Sequence, residues 1–94
     1  MLQLSAEQRD IIAKILHLYP YTFYAFGSRV KQTAKPYSDL DLCYKDAIPD
    51  YIVSEIEEAF ENSDLPFKVD IVNWQQCSEE FQSFVAKDLV KVDL

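Results

Sequence analysis

The stretch FGSRVKQTAKPYSDLDL, residues 26–42, joins a glycine–serine pair to two closely spaced aspartates. Gly27 and Ser28 follow an aromatic segment, and ten residues then separate Ser28 from Asp39. Asp39 and Asp41 are themselves separated by a single leucine. The second half of the stretch alternates polar and apolar residues, which is typical of a β-strand with one buried face.

The alternation predicts a strand over residues 38–45 that carries both aspartates on its polar face. Because residues i and i+2 of a strand share a face, Asp39 and Asp41 project together, while Leu40 and Leu42 face the core. Their Cα atoms are expected roughly 6.5 Å apart. Two bare carboxylates at this separation repel by roughly 2–3 kcal/mol at an effective dielectric constant near 20. A nearby Lys or Arg relieves this repulsion, and Mg²⁺ relieves it better because it prefers hard oxygen ligands.

A third carboxylate occurs in the apolar segment FKVDIVNW, residues 67–74, which predicts a further strand. Asp70 lies there between Val69 and Ile71, where a charge is costly unless it is paired or ligated. If the two strands that carry the acids are neighbours, Asp70 joins Asp39 and Asp41. Three acids at one edge of a sheet can hold two metal ions for phosphoryl or nucleotidyl transfer.

The Gly27–Ser28 pair is expected to bind phosphate. Glycine lets the backbone approach an anion closely. A short helix predicted over residues 28–34 directs free N–H groups toward that anion, and the Ser28 hydroxyl adds a donor. Three basic residues between the pair and the aspartates could meet negative charge, although helical spacing cannot put all of them on one side: Arg29, Lys31 and Lys35.

The rest of the chain predicts helices and strands in alternation, within one domain over residues 1–94. Ser5 and Gln8 have capping-box spacing at the start of the first helix. The last helix is expected to turn Phe81, Phe84 and Val85 inward. The order α-β-α-β-α-β-α implies an α/β (α+β) fold, a small sheet packed with helices, with strand order and direction left open. The remaining predicted elements are helices over 5–19, 49–63 and 78–89 and a strand over 21–26.

Composition and charge exclude several classes of protein. The formal net charge of −7 argues against non-specific binding to a nucleic-acid backbone. No apolar run reaches the ~20 residues of a membrane span, and the first residues lack the pattern of a secretory signal, so a cytoplasmic location is expected. Cys43 and Cys77 fit no zinc or redox spacing and are read as reduced thiols. His17, the only histidine, cannot build a metal site alone.

The combination of Gly27–Ser28, ten residues, Asp39-x-Asp41 and a later strand aspartate resembles the DNA polymerase beta-like nucleotidyltransferase superfamily. More closely, the stretch over 26–42 followed by SDLPFKVDIVNW is similar to the minimal nucleotidyltransferases, the MNT proteins of bacteria and archaea. The similarity extends over nearly the whole chain. It implies the nucleotidyltransferase (polymerase beta palm-like) fold, with a mixed sheet.

The resemblance also implies roles for individual residues. Asp39, Asp41 and Asp70 match the family acids that hold two Mg²⁺ ions and perform catalysis, with Asp70 as the base for the attacking hydroxyl. Four residues are expected to bind the nucleotide, with ATP as substrate: Gly27, Ser28, Arg29 and Ser38. MNT proteins commonly act as antitoxins that transfer AMP to a tyrosine of a HEPN-domain RNase toxin, so the expected partner is such a toxin, with no direct binding of nucleic acid or membrane.

Two points stay open at this stage. The family often has glycine where this chain has Gln32, which predicts a slightly different exit from the short helix. The enzyme hypothesis also has a competitor, an antitoxin that neutralises its HEPN partner by binding alone. Transfer to a small molecule is disfavoured because the sequence offers no acceptor domain. Nucleotide preference, the number of AMP units, the acceptor residue and the oligomeric state are not fixed by the sequence.

Overall fold

A computed structural model describes residues 2–94 as a four-stranded mixed sheet packed with helices. The strands are β1 (Phe23–Phe26), β2 (Leu40–Tyr44), β3 (Val69–Asn73) and β4 (Val90–Lys91). The helices are α1 (Ala6–Leu16), α2 (Ser28–Lys31), α3 (Asp50–Glu61) and α4 (Glu79–Val85). Two 3-10 turns, Trp74–Gln76 and Ala86–Asp88, flank α4.

The sheet has the strand order β3-β2-β1-β4. β2 and β3 run parallel, whereas β1 pairs antiparallel with both β2 and β4. The parallel pair is joined through α3, which packs on β3, as a parallel crossover requires. The mixed sheet with helices confirms the fold class predicted from the sequence.

The hydrophobic core lies between one face of the sheet and the long helices α1 and α3. Leu40 and Leu42 are almost fully buried there, as the alternation predicted. Ile12 of α1 and Ile56 of α3 are completely buried in the same cluster. Asp41 of β2 therefore projects from the opposite face, where it is only partly buried.

The capping residues in the sequence predicted the starts of two helices correctly. The Ser5 hydroxyl accepts from the Gln8 N–H at 3.1 Å, and the Gln8 side chain accepts from the Ser5 N–H at 2.9 Å, so the predicted capping box is present. The Ser78 hydroxyl likewise accepts from the Phe81 N–H at the start of α4. Both hydroxyls satisfy N–H groups that a helix start leaves without an intrahelical partner.

The prediction for the end of the chain was wrong in two respects. Phe81 and Phe84 do not face the core: they are 36% and 68% exposed, and only Val85 of the three is buried. α4 is short, and its Phe81 contacts Phe26 of the inner strand β1 with ring centroids 5.6 Å apart. The helix also ends at Val85, because the chain turns back to form β4, a strand that the sequence analysis did not identify.

Two further observations agree with the sequence analysis. Cys43 and Cys77 are both free thiols. Over residues 2–94, no helix is both long enough and apolar enough to cross a membrane.

Candidate active site

The parallel pairing of β2 and β3 brings two of the three predicted acids side by side. Asp41 is the register partner of Asp70, so their side chains leave the same face of adjacent strands. Asp39 lies just before β2, one residue outside the strand, and is exposed. The condition set by the sequence analysis, that the two acid-bearing strands are neighbours, is met.

Asp41 is the electrostatic centre of this group. Burial raises the pKa of its carboxyl, and the negative charges of Asp70 and then Asp39 raise it further. The ionised form is therefore held in an unfavourable environment when no cation is present. Lys68 partly relieves the group, because its Nζ lies 3.3 Å from Asp70 Oδ1. Both side chains of this ion pair are substantially exposed, so it contributes little stability, about 0–1 kcal/mol.

The acids form an open donor set and not a closed metal cage. Within residues 2–94, no three His, Cys, Asp or Glu side chains are grouped so that they could hold a metal ion by themselves. The donors around Asp41 are nevertheless all carboxylate oxygens, the ligands that Mg²⁺ prefers. A divalent cation would also relieve the repulsion between the half-buried Asp41 carboxylate and its neighbours Asp70 and Asp39. The residues present thus fit Mg²⁺, whose remaining ligands would come from water and phosphate.

Gly27 adjoins Asp41 and cannot be replaced without strain. Its φ of 82° and ψ of −156° lie in a region that only glycine adopts readily. A Cβ atom added at Gly27 would stand 2.5 Å from Asp41 Oδ2. The turn between β1 and α2 therefore lies directly against the carboxylate, which would put a phosphate bound at this turn next to the acids.

Arg29, which the sequence analysis assigned to nucleotide binding, lies buried against the loop that leads to Asp39. The side chain is buried, with 4% exposure, and its guanidinium lies 3.8 Å from the centroid of the Phe67 ring. Nε and Nη2 donate to the Ser38 carbonyl at 3.1 and 2.8 Å, and Nη1 donates to the Gln3 carbonyl at 2.9 Å. These bonds favour a role in positioning the loop before Asp39 over a direct contact with nucleotide.

Ser38 completes this loop. Its hydroxyl accepts from the Lys35 N–H at 2.9 Å, and its own N–H donates to the Lys35 carbonyl at 3.0 Å. The residue immediately before Asp39 is therefore fixed by two local bonds and by Arg29. The sequence analysis assigned Ser38 to nucleotide binding, and the structure adds this role in ordering the loop.

The three basic residues of the stretch are separated in space. Arg29 is buried, whereas Lys31 lies 3.8 Å from Asp88 and over the ring of Phe84. Lys35 is exposed in the loop. Gln32 ends α2 in the left-handed region, with φ 63°, which is the conformation that glycine adopts at a helix end. A glycine at this position would fit that backbone without strain.

Sequence reasoning missed two contributors to the site. Lys68 precedes Asp70 by two residues on an extended segment, so strand periodicity alone could have placed them on one face. Phe26 is the register partner of Asp41 on β1, and it packs against Phe81, which in turn lies near Trp74. This aromatic wall depends on tertiary packing of α4, which no local pattern indicates.

Comparison with known proteins shows the family of the chain. Residues 10–92 match the family described as Polymerase beta, Nucleotidyltransferase. The chain belongs to this nucleotidyltransferase family. A Haemophilus influenzae relative named "Probable protein adenylyltransferase MntA" is 43% identical over 95 residues, covering 97% of this chain and 83% of that protein.

A solved structure shares the fold of this nucleotidyltransferase. It is described as "Crystal structure of the toxin-antitoxin with AMP-PNP", with a TM-score of 0.68 and 23% identity. The match covers 90% of this chain and 72% of the other. The recognition as a minimal nucleotidyltransferase, and with it the prediction of an enzyme, is confirmed by the family match and the 43% identical relative.

Proposed function

We propose that this nucleotidyltransferase is a Mg²⁺-dependent protein adenylyltransferase that acts as an antitoxin. It transfers AMP from ATP to a hydroxyl, a tyrosine hydroxyl in the simplest case, of a HEPN-domain RNase toxin, and does so in the cytoplasm. Transfer of AMP silences the toxin by covering a side chain that it needs.

The observation that carries this proposal is the juxtaposition of Asp41 with Asp70 and Gly27. The register pairs the two acids, and Gly27 lies against Asp41 where any added Cβ would collide. A phosphate and two carboxylates are all negatively charged, so they come close together only with a cation between them. Transfer at a cation that both acids hold therefore requires the acids and the phosphate-binding turn to be neighbours. Mg²⁺, when bound, would neutralise the triphosphate and the three acids together and stabilise the leaving pyrophosphate.

The residues of the chain then have distinct roles. Gly27 and Ser28 hold the triphosphate at the start of α2, and Arg29 with Ser38 fixes the loop that presents Asp39. Asp70 accepts the proton of the attacking hydroxyl. The hydroxyl oxygen forms a bond to the α-phosphorus, the bond from that phosphorus to the bridging oxygen breaks, and pyrophosphate leaves with the electron pair.

The partner is proposed from the names of the relatives. One relative is named as a probable protein adenylyltransferase, and the similar fold comes from a toxin–antitoxin structure with a nucleotide analogue. A protein acceptor and a nucleoside triphosphate donor are consistent with both names. The HEPN identity of the toxin and its tyrosine acceptor come from the family resemblance.

The test is a mass measurement on the partner. Purified chain is incubated with ATP, Mg²⁺ and the toxin encoded beside it, and we expect the toxin to gain AMP-sized mass with release of pyrophosphate. Asp41→Asn should abolish the gain. Asp93→Asn, which removes the same charge near the opposite end of β1, should leave it unchanged. An unmodified toxin in the wild-type reaction would contradict the proposal.

The competing function is neutralisation by binding alone. The observation that favours it is that, among the described residues, no three acids are grouped so that they could hold a metal ion by themselves. An Asp39→Asn, Asp41→Asn double variant separates the two functions in cells. Loss of protection from the toxin, with the complex still formed, favours catalysis, whereas full protection favours binding.

A further inference from the structure

A groove opens beside the loop that leads to Asp39. It has a volume of about 620 Å³ and lies between the N-terminal segment, the start of α1 and residues 34–37. Tyr37 stands at its rim with 77% of its surface exposed. The side chains that matter for its chemistry are Gln8, Arg9, Lys35, Pro36, Tyr37 and Pro66. We refer to this surface as the basic groove.

The charge of the basic groove is opposite to that of the whole chain. The chain carries 16 Asp and Glu residues and a net charge of −7, yet none of the residues that line the groove is acidic. Arg9, Arg29 and Lys35 all contribute to its lining. Arg29 directs its donors inward, and the half-buried Arg9 donates from Nη2 to the Leu2 carbonyl at 2.7 Å. The exposed Lys35 is therefore the main cation that an occupant would meet, and Arg9 offers its remaining donors.

The walls of the basic groove are held in place by hydrogen bonds. The Gln3 side chain both donates to the Ala34 carbonyl and accepts from the Ala34 N–H, each at 2.9 Å. Arg29 donates to the Pro36 and Ser38 carbonyls, which lie on either side of Tyr37. An exposed tyrosine on a fixed loop gives a binding surface that loses little conformational freedom when a partner docks.

We propose that the basic groove docks an extended acidic segment of the protein that accepts AMP. This inference rests on the proposed function for the existence of that acceptor. Tyr37 lies two residues before Asp39, so the loop that lines the groove is also the loop that leads to Asp39. Lys35 and Arg9 pair with carboxylates of the segment, and Tyr37 with Pro36 and Pro66 contacts its apolar groups.

A protein segment fits this surface better than RNA does. RNA is a continuous polyanion that would have to pass the acidic remainder of the chain, which repels it. A short acidic segment followed by neutral or basic sequence contacts only the groove. Charge complementarity therefore favours the protein occupant.

Equilibrium affinity for the purified toxin partner, measured without ATP, tests the proposal separately from catalysis. Lys35→Glu and Tyr37→Ala should each raise the dissociation constant by about tenfold or more, since a central tyrosine or a reversed charge commonly has this effect. The matched controls are Lys91→Glu, on the edge strand β4, and Tyr51→Ala, an exposed tyrosine of α3. Both controls should change the constant by less than about twofold, as substitutions outside an interface usually do. The wild-type affinity should fall as salt rises, and Lys35→Glu should reduce that dependence.

The outcomes distinguish the two proposals. If the groove variants bind like their controls, the basic groove is not the docking surface, and the proposed function is untouched. If the wild-type chain binds no toxin at all, both proposals fail. A short RNA oligonucleotide that displaces the toxin, and that loses affinity in Lys35→Glu, would overturn the assignment to a protein segment.

Discussion

Replacing Asp41 by Asn should stabilise the metal-free protein while it destroys the site. Asp41 and Asp70 are register partners on adjacent strands, so their charges are expected about 5–6 Å apart. Coulomb's law gives about 3 kcal/mol at an effective dielectric constant of 20 and about 0.8 kcal/mol at that of water. The site is half-exposed and Lys68 offsets part of the charge of Asp70, so we expect Asp41→Asn to gain about 1 kcal/mol at pH 7.

The sign of the pH dependence follows from the raised pKa of Asp41. A carboxyl whose pKa is higher in the folded state than in the unfolded chain costs stability once it is ionised. That cost is absent below the unfolded value, grows as pH rises toward the folded pKa, and is complete above it. The advantage of Asp41→Asn over wild type should therefore be largest at neutral pH and shrink toward zero below about pH 4.

Urea unfolding followed by circular dichroism measures this difference, because urea does not screen charge as guanidinium chloride does. The free energies of unfolding are compared at pH 7 and pH 4 for wild type, Asp41→Asn and the control Asp93→Asn. Adding Mg²⁺ at constant ionic strength should stabilise wild type and not Asp41→Asn. An Asp41→Asn protein that is less stable than wild type at pH 7, or whose gain persists at pH 4, would refute the reasoning.

Three other substitutions test the turn and the loop. Gly27→Ala should lower the free energy of unfolding by about 2–3 kcal/mol in urea, because alanine disfavours the backbone conformation of Gly27 and its Cβ would collide with Asp41. The same substitution should weaken ATP binding in a calorimetric titration. Gln32→Gly should instead raise the free energy of unfolding by about 0.5–1 kcal/mol by relieving a left-handed backbone; a loss of stability would contradict this. Arg29→Lys should lower the free energy of unfolding by about 1–2 kcal/mol and speed protease cleavage over residues 33–39. The reason is that a lysine ammonium cannot replace the two guanidinium nitrogens that both donate to the Ser38 carbonyl. Unchanged cleavage would show that the loop is held without Arg29.

Local patterns predicted most of the fold. The capping box at Ser5, the alternation around Leu40 and the Gly27 turn are each written in a few adjacent residues, and the structure has all three. These features depend on backbone geometry and on burial of one face, which are properties of short segments.

Features that depend on long-range packing were missed. The sequence could not decide whether β2 and β3 pair, and the position of Asp70 depended on that pairing. β4 is a strand of two residues, too short for a periodic signal. Phe84 has the spacing of a core residue but lies outside the core, and 68% of its surface is exposed.

The surroundings of Arg29 show what motif reasoning leaves out. A basic residue directly after a phosphate-binding pair suggests a contact with the anion. Its side chain instead turns inward, where the carbonyls of Gln3 and Ser38 and the Phe67 ring surround it. A charge next to a motif can therefore serve the loop that carries the motif, and only the tertiary structure distinguishes the two roles.

The central claim is that Asp39, Asp41 and Asp70 act as one magnesium site beside a bound triphosphate. Calorimetric titration with a non-hydrolysable ATP analogue, with and without Mg²⁺, tests it on wild type, Asp70→Asn and the control Asp93→Asn. The account predicts Mg²⁺-dependent binding by wild type and the control, and a loss of about tenfold or more in Asp70→Asn, as removal of a charged ligand from a metal site should produce. Equal affinity in Asp70→Asn and wild type, or binding that ignores Mg²⁺, would contradict it.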